Sequence, residues 1–581
     1  MSKIWKLKPK APTGSLGRLP DDSADGLLVQ LLYNRGLEQE AAAEFLAAAY
    51  QGLHDPFLFA DMRAAVERLW GAIERGEKIC VYGDYDADAV TANAVLQQTF
   101  RYLGAAAEYY IPDRFTEGYG VNLEALAKIK AGGCRLIVTV DCGTNSTDAA
   151  AYCRAEGLDF IITDHHEIIG DKPAVLALIN PKNPDDGYPY REITGVGVAF
   201  KLACALLADE ERVRARLKNL PAGADRFVAG YEKWLLDLVA IGTVADCHSL
   251  IGENRILVKY GLKVLAKTRW LGLRALLASA GVWDKAAAGF DTYTLGFIVA
   301  PRLNAAGRLE HAGIALALLL ETDPARAREQ AEALEQINRR RQALTQQVLS
   351  EAREQALRYA ERRVLVLAGE DWPKGVVGLV AGRLTEEFAK PVIVLEKTAE
   401  LCTGSARTFG EFDMIEALKA AAPHLSRFGG HKQAAGLTLE TARLEPFYES
   451  VLAFAETHAA AGSGERVLEL EAELLAADLG LETYGLVSRL EPFGVDNSKP
   501  RFLISGMQVE ALRQVGASGQ HTQLRLQKDG RHLAAIAFNS GFLQQHLQFG
   551  SRVDVACELL EDGYNGRREL KLRVIDVRPA E

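Results

Sequence analysis

At 581 residues the chain exceeds what one hydrophobic core usually supports, so several domains are expected. Its hydrophobic content of 48% and charged content of 25% are those of an ordinary globular protein, and no apolar run is long enough to cross a bilayer. A net charge of −10 excludes a surface coated with basic residues but not a local groove for phosphates.

The start, Met1 to Pro12, is lysine-rich and lacks the apolar stretch of a signal peptide. Eight cysteines are scattered without a CxxC pair, several of them in predicted strands, which favours reduced thiols and a cytoplasmic location. Residues 1–54 read as a small helical lead-in, with Glu38 to Ala49 its clearest helix. From 55 to 270 short apolar strands alternate with helices, the pattern of a parallel α/β domain.

Three predicted strands of that domain end in acidic clusters. Lys78 to Tyr82 runs into Asp84, Asp86 and Asp88; Arg135 to Val140 runs into Asp141; Leu158 to Thr163 runs into Asp164-His165-His166. A fourth apolar run, Asp237 to Asp246, again has a carboxylate at its tip. One such aspartate is usually a cap or turn residue. Four tips, one bearing paired histidines, exceed what capping explains. Ligands of open parallel sheets bind outside the carboxyl ends of the strands. Carboxylates and imidazoles gathered there suit divalent metals and point to a metal-dependent hydrolase.

Residues 271–362 are read as a helical connector. Asp323-Pro324 is a strong helix start, and Ala325 to Ala368 contains no glycine or proline. A second α/β lobe follows over 363–462, beginning at Arg363 to Leu367 and ending near the Gly462-Ser463-Gly464 break. The tail, 466–581, reads as β-rich, with period-two alternation at Thr522 to Leu526 and Leu570 to Val574. From Lys499 to Glu581 it holds 12 lysines and arginines against 9 acidic residues, a local charge of +3. A small β-barrel that binds nucleic acid fits these features, as does a plain β-domain.

The segments GDYDAD at 83–88, VDCGTN at 140–145, DHH at 164–166 and VAIGTVAD at 239–246 resemble, in order, those of the DHH phosphoesterase superfamily. Gly195 to Phe200, Pro301 to Leu309, Gly429-Gly430-His431 and Leu490 to Gly494 narrow the resemblance to its single-strand-specific DNA exonucleases. The resemblance implies a parallel-sheet DHH catalytic domain at 55–270 and a DHHA1 lobe at 363–462, joined by a long helix. An OB-fold follows at 466–581. It implies two divalent ions, Mn2+ or Mg2+. Asp86, Asp88, Asp141, His165 and Asp246 match metal positions, with Asp141 the bridge, and Asp84 joins them unless it only caps a turn. Asp141, His165 and His166 are the implied catalytic residues, His166 orienting a carboxylate or touching phosphate.

Arg302, Asn304, Arg308, Ser405, Arg407 and His431 match substrate-binding positions. Alone, GSAR at 404–407 or GGH at 429–431 would be an ordinary turn or surface pair, and Asn304 is as well read as a bond to loop backbone. Arg501, Arg513, Arg525, Lys528 and Arg531 are the basic candidates of the tail, whereas Phe493 and Phe502 suit its core. Two positions depart from the family pattern: Tyr82 replaces a histidine that gives some relatives a metal contact, and Ala89 replaces a glycine. If that backbone had positive φ, alanine would cost about 1 kcal/mol or more.

The implied activity is 5′-to-3′ hydrolysis of single-stranded DNA to mononucleotides, in recombination and base-excision or mismatch repair. A monomer working with single-strand-binding protein and a RecQ-type helicase is implied. A nano-RNase, cyclic-dinucleotide phosphodiesterase or inorganic pyrophosphatase would share the metals but lack the tail. A non-catalytic replication scaffold would have lost metal residues that this chain keeps.

Overall fold

The computed structural model describes residues 3–12, 14, 26–118, 120–220, 227–458, 467–516, 518–540, 543, 547–562 and 568–580. The Gly462-Ser463-Gly464 break lies outside them. The chain divides into two compact units: Asp55–Asp246 with Gly261–Gly464, and Met1–His54 with Cys247–Tyr260 and Glu465–Glu581. Strands are numbered along the whole chain, β1 being Ile4–Leu7 of the smaller unit.

The larger unit opens on a five-stranded parallel sheet of β2 (Ile79–Gly83), β3 (Ala107–Tyr110), β4 (Leu136–Val140), β5 (Asp159–Thr163) and β6 (Ala177–Ile179), in the order β3-β2-β4-β5-β6. The central strands are continuous apolar runs because helices cover both faces. Their register decides the geometry of the site. Gly83 pairs with Val140 and Val140 with Thr163, so the next residues, Asp84, Asp141 and Asp164, emerge side by side at one edge.

The fourth acidic motif is not a strand tip. Leu236–Ala245 is a helix, and Asp246 is its C-cap. Leu236 to Thr243 are buried on every side, so the run carries no amphipathic period to mark it as helical. It crosses helix Ala87–Tyr102 closely at Gly242, where a Cβ would lie 2.3 Å from Thr91 Oγ1 and 2.8 Å from Asp88 Oδ1.

Helix Pro324–Arg358 runs for 35 residues, and the Asp323 carboxylate caps it by accepting from the Ala325 and Arg326 amides at 2.9 and 2.8 Å. It is more than a connector. Val348, Leu349, Ala352 and Ala356 pack into the core of the second lobe with Leu365, Leu367, Val392 and Val394. That lobe is a mixed sheet of β7 (Leu365–Gly369), β8 (Val392–Lys397), β9 (Leu401–Arg407), β10 (Arg427–Gly430) and β11 (Ala434–Glu440), ordered β10-β11-β9-β8-β7. Only β7 and β8 are parallel.

In the smaller unit β12 (Val467–Leu470) and β13 (Ala472–Glu473) precede five long strands: β14 (Phe502–Val515), β15 (His521–Lys528), β16 (Arg531–Ala537), β17 (Arg552–Asp562) and β18 (Glu569–Pro579). Pairing runs β14-β15-β16-β18-β17 and returns from β17 to β14, which closes a five-stranded barrel. The lead-in is not wholly helical. β1 pairs in parallel with β12, a partner more than 450 residues away that local sequence cannot announce. Helices Gly26–Tyr33 and Gln39–Ala47 follow, and Leu28, Leu31, Leu32 and Phe45 join the barrel's core.

Candidate active site

The site is assembled where the three strand tips meet three helix ends. Asp86 caps helix Ala87–Tyr102, accepting from the Ala89 amide at 3.1 Å. Asp88 lies in the first turn of that helix and is fully buried. Its carboxylate accepts the Gly195 and Val196 amides at 2.8 and 2.9 Å, so a second helix, Gly195–Leu207, points its N-terminus at it. Asp141 follows β4 with φ of +59°, a left-handed conformation that side-chain residues adopt at a cost. Gly195 lies against it, and a Cβ there would stand 2.6 Å from Asp141 Cβ. The sequence motif Gly195 to Phe200 is thereby explained as a close approach to two acidic residues.

The paired histidines do different things. His165 is buried, and its Nε2 faces three carboxylates: Asp141 Oδ1 at 3.0 Å, Asp246 Oδ2 at 3.6 Å and Asp88 Oδ2 at 4.0 Å. His166 turns its Nδ1 to Asp164 Oδ1 at 2.7 Å. The sequence marks Asp164 as part of an acidic strand tip without giving it a role of its own, yet it organises this corner. Oδ1 also accepts the His165 and His166 amides at 2.7 and 3.2 Å, and Oδ2 accepts the Thr144 amide at 2.9 Å.

Electrostatics separates these carboxylates into two kinds. Burial, then the charge of Asp86, pushes the Asp84 and Asp246 carboxyls up to about 8. Asp88 and Asp141 are raised well above the ordinary range, first by burial and then by neighbouring aspartates. Asp164 is equally buried but held below the ordinary range, because the His166 hydrogen bond and both histidines outweigh the burial. Oδ1 of Asp84 and Oδ1 of Asp141 are buried and accept no hydrogen bond among the described residues; the 3.0 Å approach of His165 lacks hydrogen-bond geometry. Crowded carboxylates with orphaned oxygens, and an imidazole nitrogen aimed among them, fit divalent cations of the hard or borderline kind. The ligand-bearing atoms of Asp141, Asp164, His165 and His166 all lie within 4.8 Å of one another.

A cleft of about 950 Å³ opens beside this cluster, lined by Asp164 and His166 on one side and by Arg427, Phe428 and His431 of the second lobe on the other. Ser405 and Arg407 project from β9 toward Gly378, where a Cβ would lie 3.1 Å from Ser405 Oγ and 3.5 Å from an Arg407 nitrogen. Arg308 is lowered to about 10 by burial and then by Arg114 and Arg341, and Arg407 is lowered by burial and then by Arg114. These guanidinium groups therefore form one cationic neighbourhood, with Asp86 close enough to act on Arg308. Arg114, held 4.8 Å over the Tyr85 ring, was not a candidate from sequence; no motif marks it.

Other candidates are tied into the scaffold. Arg302 pairs with Glu335 at 2.7 Å, and Asn304 Oδ1 accepts the Ala87 amide at 2.8 Å, which fixes the helix that carries Asp88. Ala89 lies inside that helix with no positive φ, so its replacement of glycine carries no backbone penalty. Tyr82 is fully buried and donates to the Gly120 carbonyl at 2.9 Å, away from the carboxylates in a core with Cys80 and Ile137.

In the barrel, Phe502 is core and Phe493 packs against it. The Leu490 to Gly494 segment is structural: buried Arg255 donates to the Leu490 and Pro492 carbonyls at 2.8 and 3.5 Å, and Asn497 Nδ2 donates to the same two at 2.8 and 2.9 Å. Arg501, Arg525, Lys528 and Arg531 each have local partners, in Glu558, Glu510 and the Ser505 and Leu479 carbonyls. Arg513 bonds Gln523 across the strands. Phe538 and Phe549 are exposed aromatics of this unit, and Phe538 has His521 at 5.2 Å and Arg573 at 5.8 Å.

This architecture and acidic edge define a DHH phosphoesterase. The family models for the DHH N-terminal domain, the DHHA1 domain and the RecJ OB domain match residues 78–243, 361–457 and 470–576. The single-stranded-DNA-specific exonuclease RecJ of Bacillus subtilis is 37% identical over 96% of this chain and 68% of its own length. That of Dickeya dadantii is 34% identical over 99% of both chains. The crystal structure of RecJ in complex with Mn2+ from Thermus thermophilus covers 100% of this chain and 80% of that one at 29% identity, with a TM-score of 0.82. The Mg2+ complex gives 0.76 at 28% identity, covering 100% and 79%. The chain belongs to the RecJ family.

Proposed function

We propose that this chain is a single-stranded-DNA-specific exonuclease that hydrolyses phosphodiesters from the 5′ end and releases mononucleotides. The observation that carries the reading is the acidic edge itself: orphaned buried carboxylate oxygens and a histidine nitrogen, beside a cleft walled by a second lobe with buried arginines. Asp84, Asp86, Asp88, Asp141, His165 and Asp246 would hold two divalent ions, Mn2+ or Mg2+, with Asp141 shared between them. Bound there, the ions supply Lewis acidity toward the phosphodiester and activation of the attacking water. Asp88 is kept in place by two helix amides, and Asp164 holds His166 at the cleft wall to meet a phosphate oxygen. Arg308, Ser405, Arg407 and His431 position the strand, while Arg302 and Asn304 support it from the scaffold.

The division of labour follows the parts read from sequence: lead-in 1–54, catalytic domain 55–270, connector 271–362, DHHA1 lobe 363–462 and OB-fold 466–581. Action as a cytoplasmic monomer with single-strand-binding protein and a RecQ-type helicase, in recombination and repair, belongs to the same proposal. No helix of the described residues is long and apolar enough to cross a membrane. The test is a digest with manganese of 5′- and 3′-labelled single strands, beside duplex DNA, a dinucleotide and pyrophosphate. Mononucleotides released from the 5′ end of long single strands are expected. Turnover confined to the dinucleotide or pyrophosphate would refute the assignment.

A further inference from the structure

Two large aromatic side chains of the larger unit are left open to solvent side by side. Tyr293 is 59% exposed and Phe297 is 71% exposed. Their rings stack with centroids 4.9 Å apart and planes at 20°. Both belong to a π-helical turn, Thr294–Val299 with Tyr293 as its N-cap, and such turns are uncommon and recur at functional sites. The inner face of the turn is firmly seated: Leu295 and Val299 are fully buried. Gly296 leans on Val244, where a Cβ would lie 3.4 Å from Cγ1, two residues before Asp246. After Val299 the chain passes without a break into helix Ala300–Leu309, which carries Arg302, Asn304 and Arg308. The rings are thus fixed to the two helices that deliver Asp246 and Arg308. From Phe297 to Arg308 the helical rise is about 16 Å, a reach of about five nucleotides at stacked spacing, beyond that of a tetramer.

We propose that Tyr293 and Phe297 form a stacking platform for a base of the single strand outside the cleft, a contact that rests on the exonuclease reading and adds a nucleobase subsite to it. Aromatic faces accept any base, which suits an enzyme that must process every sequence. A protein partner is the poorer fit. A stable protein interface needs about 800 Å² on each side, whereas two partly exposed rings offer about 300 Å².

The experiment uses the full chain with manganese and oligonucleotides of 4 and 20 residues, intact or with one abasic site moved along the strand. For Phe297→Ala and for the double variant with Tyr293→Ala, kcat/KM on the 20-mer is expected to fall about 5- to 100-fold through KM, with kcat and the tetramer rate unchanged. One abasic position should reproduce that loss in the wild type and cost nothing further in the variant. Phe297→Leu should behave as Phe297→Ala, and Phe297→Trp as wild type, which separates ring stacking from simple apolar contact. If the wild type degrades the 20-mer and the variants match it at every length, the platform proposal is overturned while the exonuclease reading stands. A defect that appears only when a second protein is added would equally overturn it, in favour of protein docking. If the wild type degrades neither oligonucleotide, the underlying reading fails first.

Discussion

Gly195→Ala places one methyl group against the acidic edge. The new Cβ would lie 2.6 Å from Asp141 Cβ, 2.7 Å from Oδ1 and 2.8 Å from Cγ. Carbon atoms rest at about 3.5–4.0 Å, so something must move by about 1 Å. The helix cannot retreat without stretching the amide bonds of Gly195 and Val196 to Asp88. Asp141 cannot turn away easily, because its backbone is left-handed and its amide donates to the Thr163 carbonyl at 3.0 Å. Gly195 itself has no positive φ, so the cost is steric and alanine's better helix propensity works in the opposite direction by about 0.5–1 kcal/mol. Overpacking of a tight site costs about 1–3 kcal/mol and a 1 Å displacement of a reacting group about 100-fold in rate.

We therefore expect Gly195→Ala to lower kcat/KM on an end-labelled single strand by roughly 100-fold, with weaker manganese binding by calorimetry and a melting temperature lower by a few degrees. Gly382→Ala, inside helix Lys374–Phe388 with open space around its Cβ, is the control. It should leave activity intact and raise stability by up to about 1 kcal/mol. Wild-type kcat/KM and manganese affinity in Gly195→Ala would refute the argument that this glycine sets the position of Asp141.

Asp141→Ala should abolish turnover more completely than any other single change at the acidic edge; a larger loss for Asp246→Ala would reassign the shared ligand. Arg407→Ala should lower kcat/KM about 10- to 150-fold, the worth of one charge-assisted phosphate contact, while calorimetric manganese binding is unchanged. In the barrel, Phe538→Ala should weaken binding of long single strands several-fold and spare the hydrolysis of tetramers, measured as KM against substrate length. Asp237 is raised to about 6, chiefly by burial, against the hydrogen bonds it accepts. Its folded form binds the proton more tightly than the unfolded one, so its contribution to stability is greatest below about pH 4 and is lost as pH rises to about 6. Asp237→Asn should flatten the melting-temperature profile across pH 4–6 relative to wild type, by an amount worth up to about 3 kcal/mol.

What was legible in the sequence was local or periodic. Buried parallel strands announce themselves as apolar runs, and an aspartate after each run lands at the same edge once the strands are in register. Asp323-Pro324 marked a helix start through capping chemistry that operates within three residues. What was not legible depends on partners distant in the chain. β1 needs β12, Asn304 needs the Ala87 amide, Arg302 needs Glu335, and Arg255 needs the carbonyls at 490 and 492. The same holds for the basic residues of the tail, of which Arg525 and Arg501 are answered by Glu510 and Glu558 on neighbouring strands. The run before Asp246 was ambiguous for a different reason: buried on all sides, it lacks the polar stripe that tells a helix from a strand.

Asp141 and Asp164 show why a motif does not divide labour among its own residues. Both follow register-matched positions on adjacent strands, and both are buried. Composition and spacing treat them alike. The difference lies in what donates to them. Asp164 receives two backbone amides through Oδ1, a third through Oδ2, and the His166 ring, so its charge is satisfied from within the fold. Asp141 has an oxygen to which no described residue donates, among neighbours that carry the same charge. A buried carboxylate of the first kind is a structural anchor that fixes a histidine. One of the second kind is costly to the fold when charged, and the cost is relieved by a proton or, on the proposed reading, by a cation from outside. On the proposed reading the acidic edge trades stability for a metal site around Asp84 and Asp141, while Asp164, and the helix amides that hold Asp88, supply the rigidity that keeps its geometry.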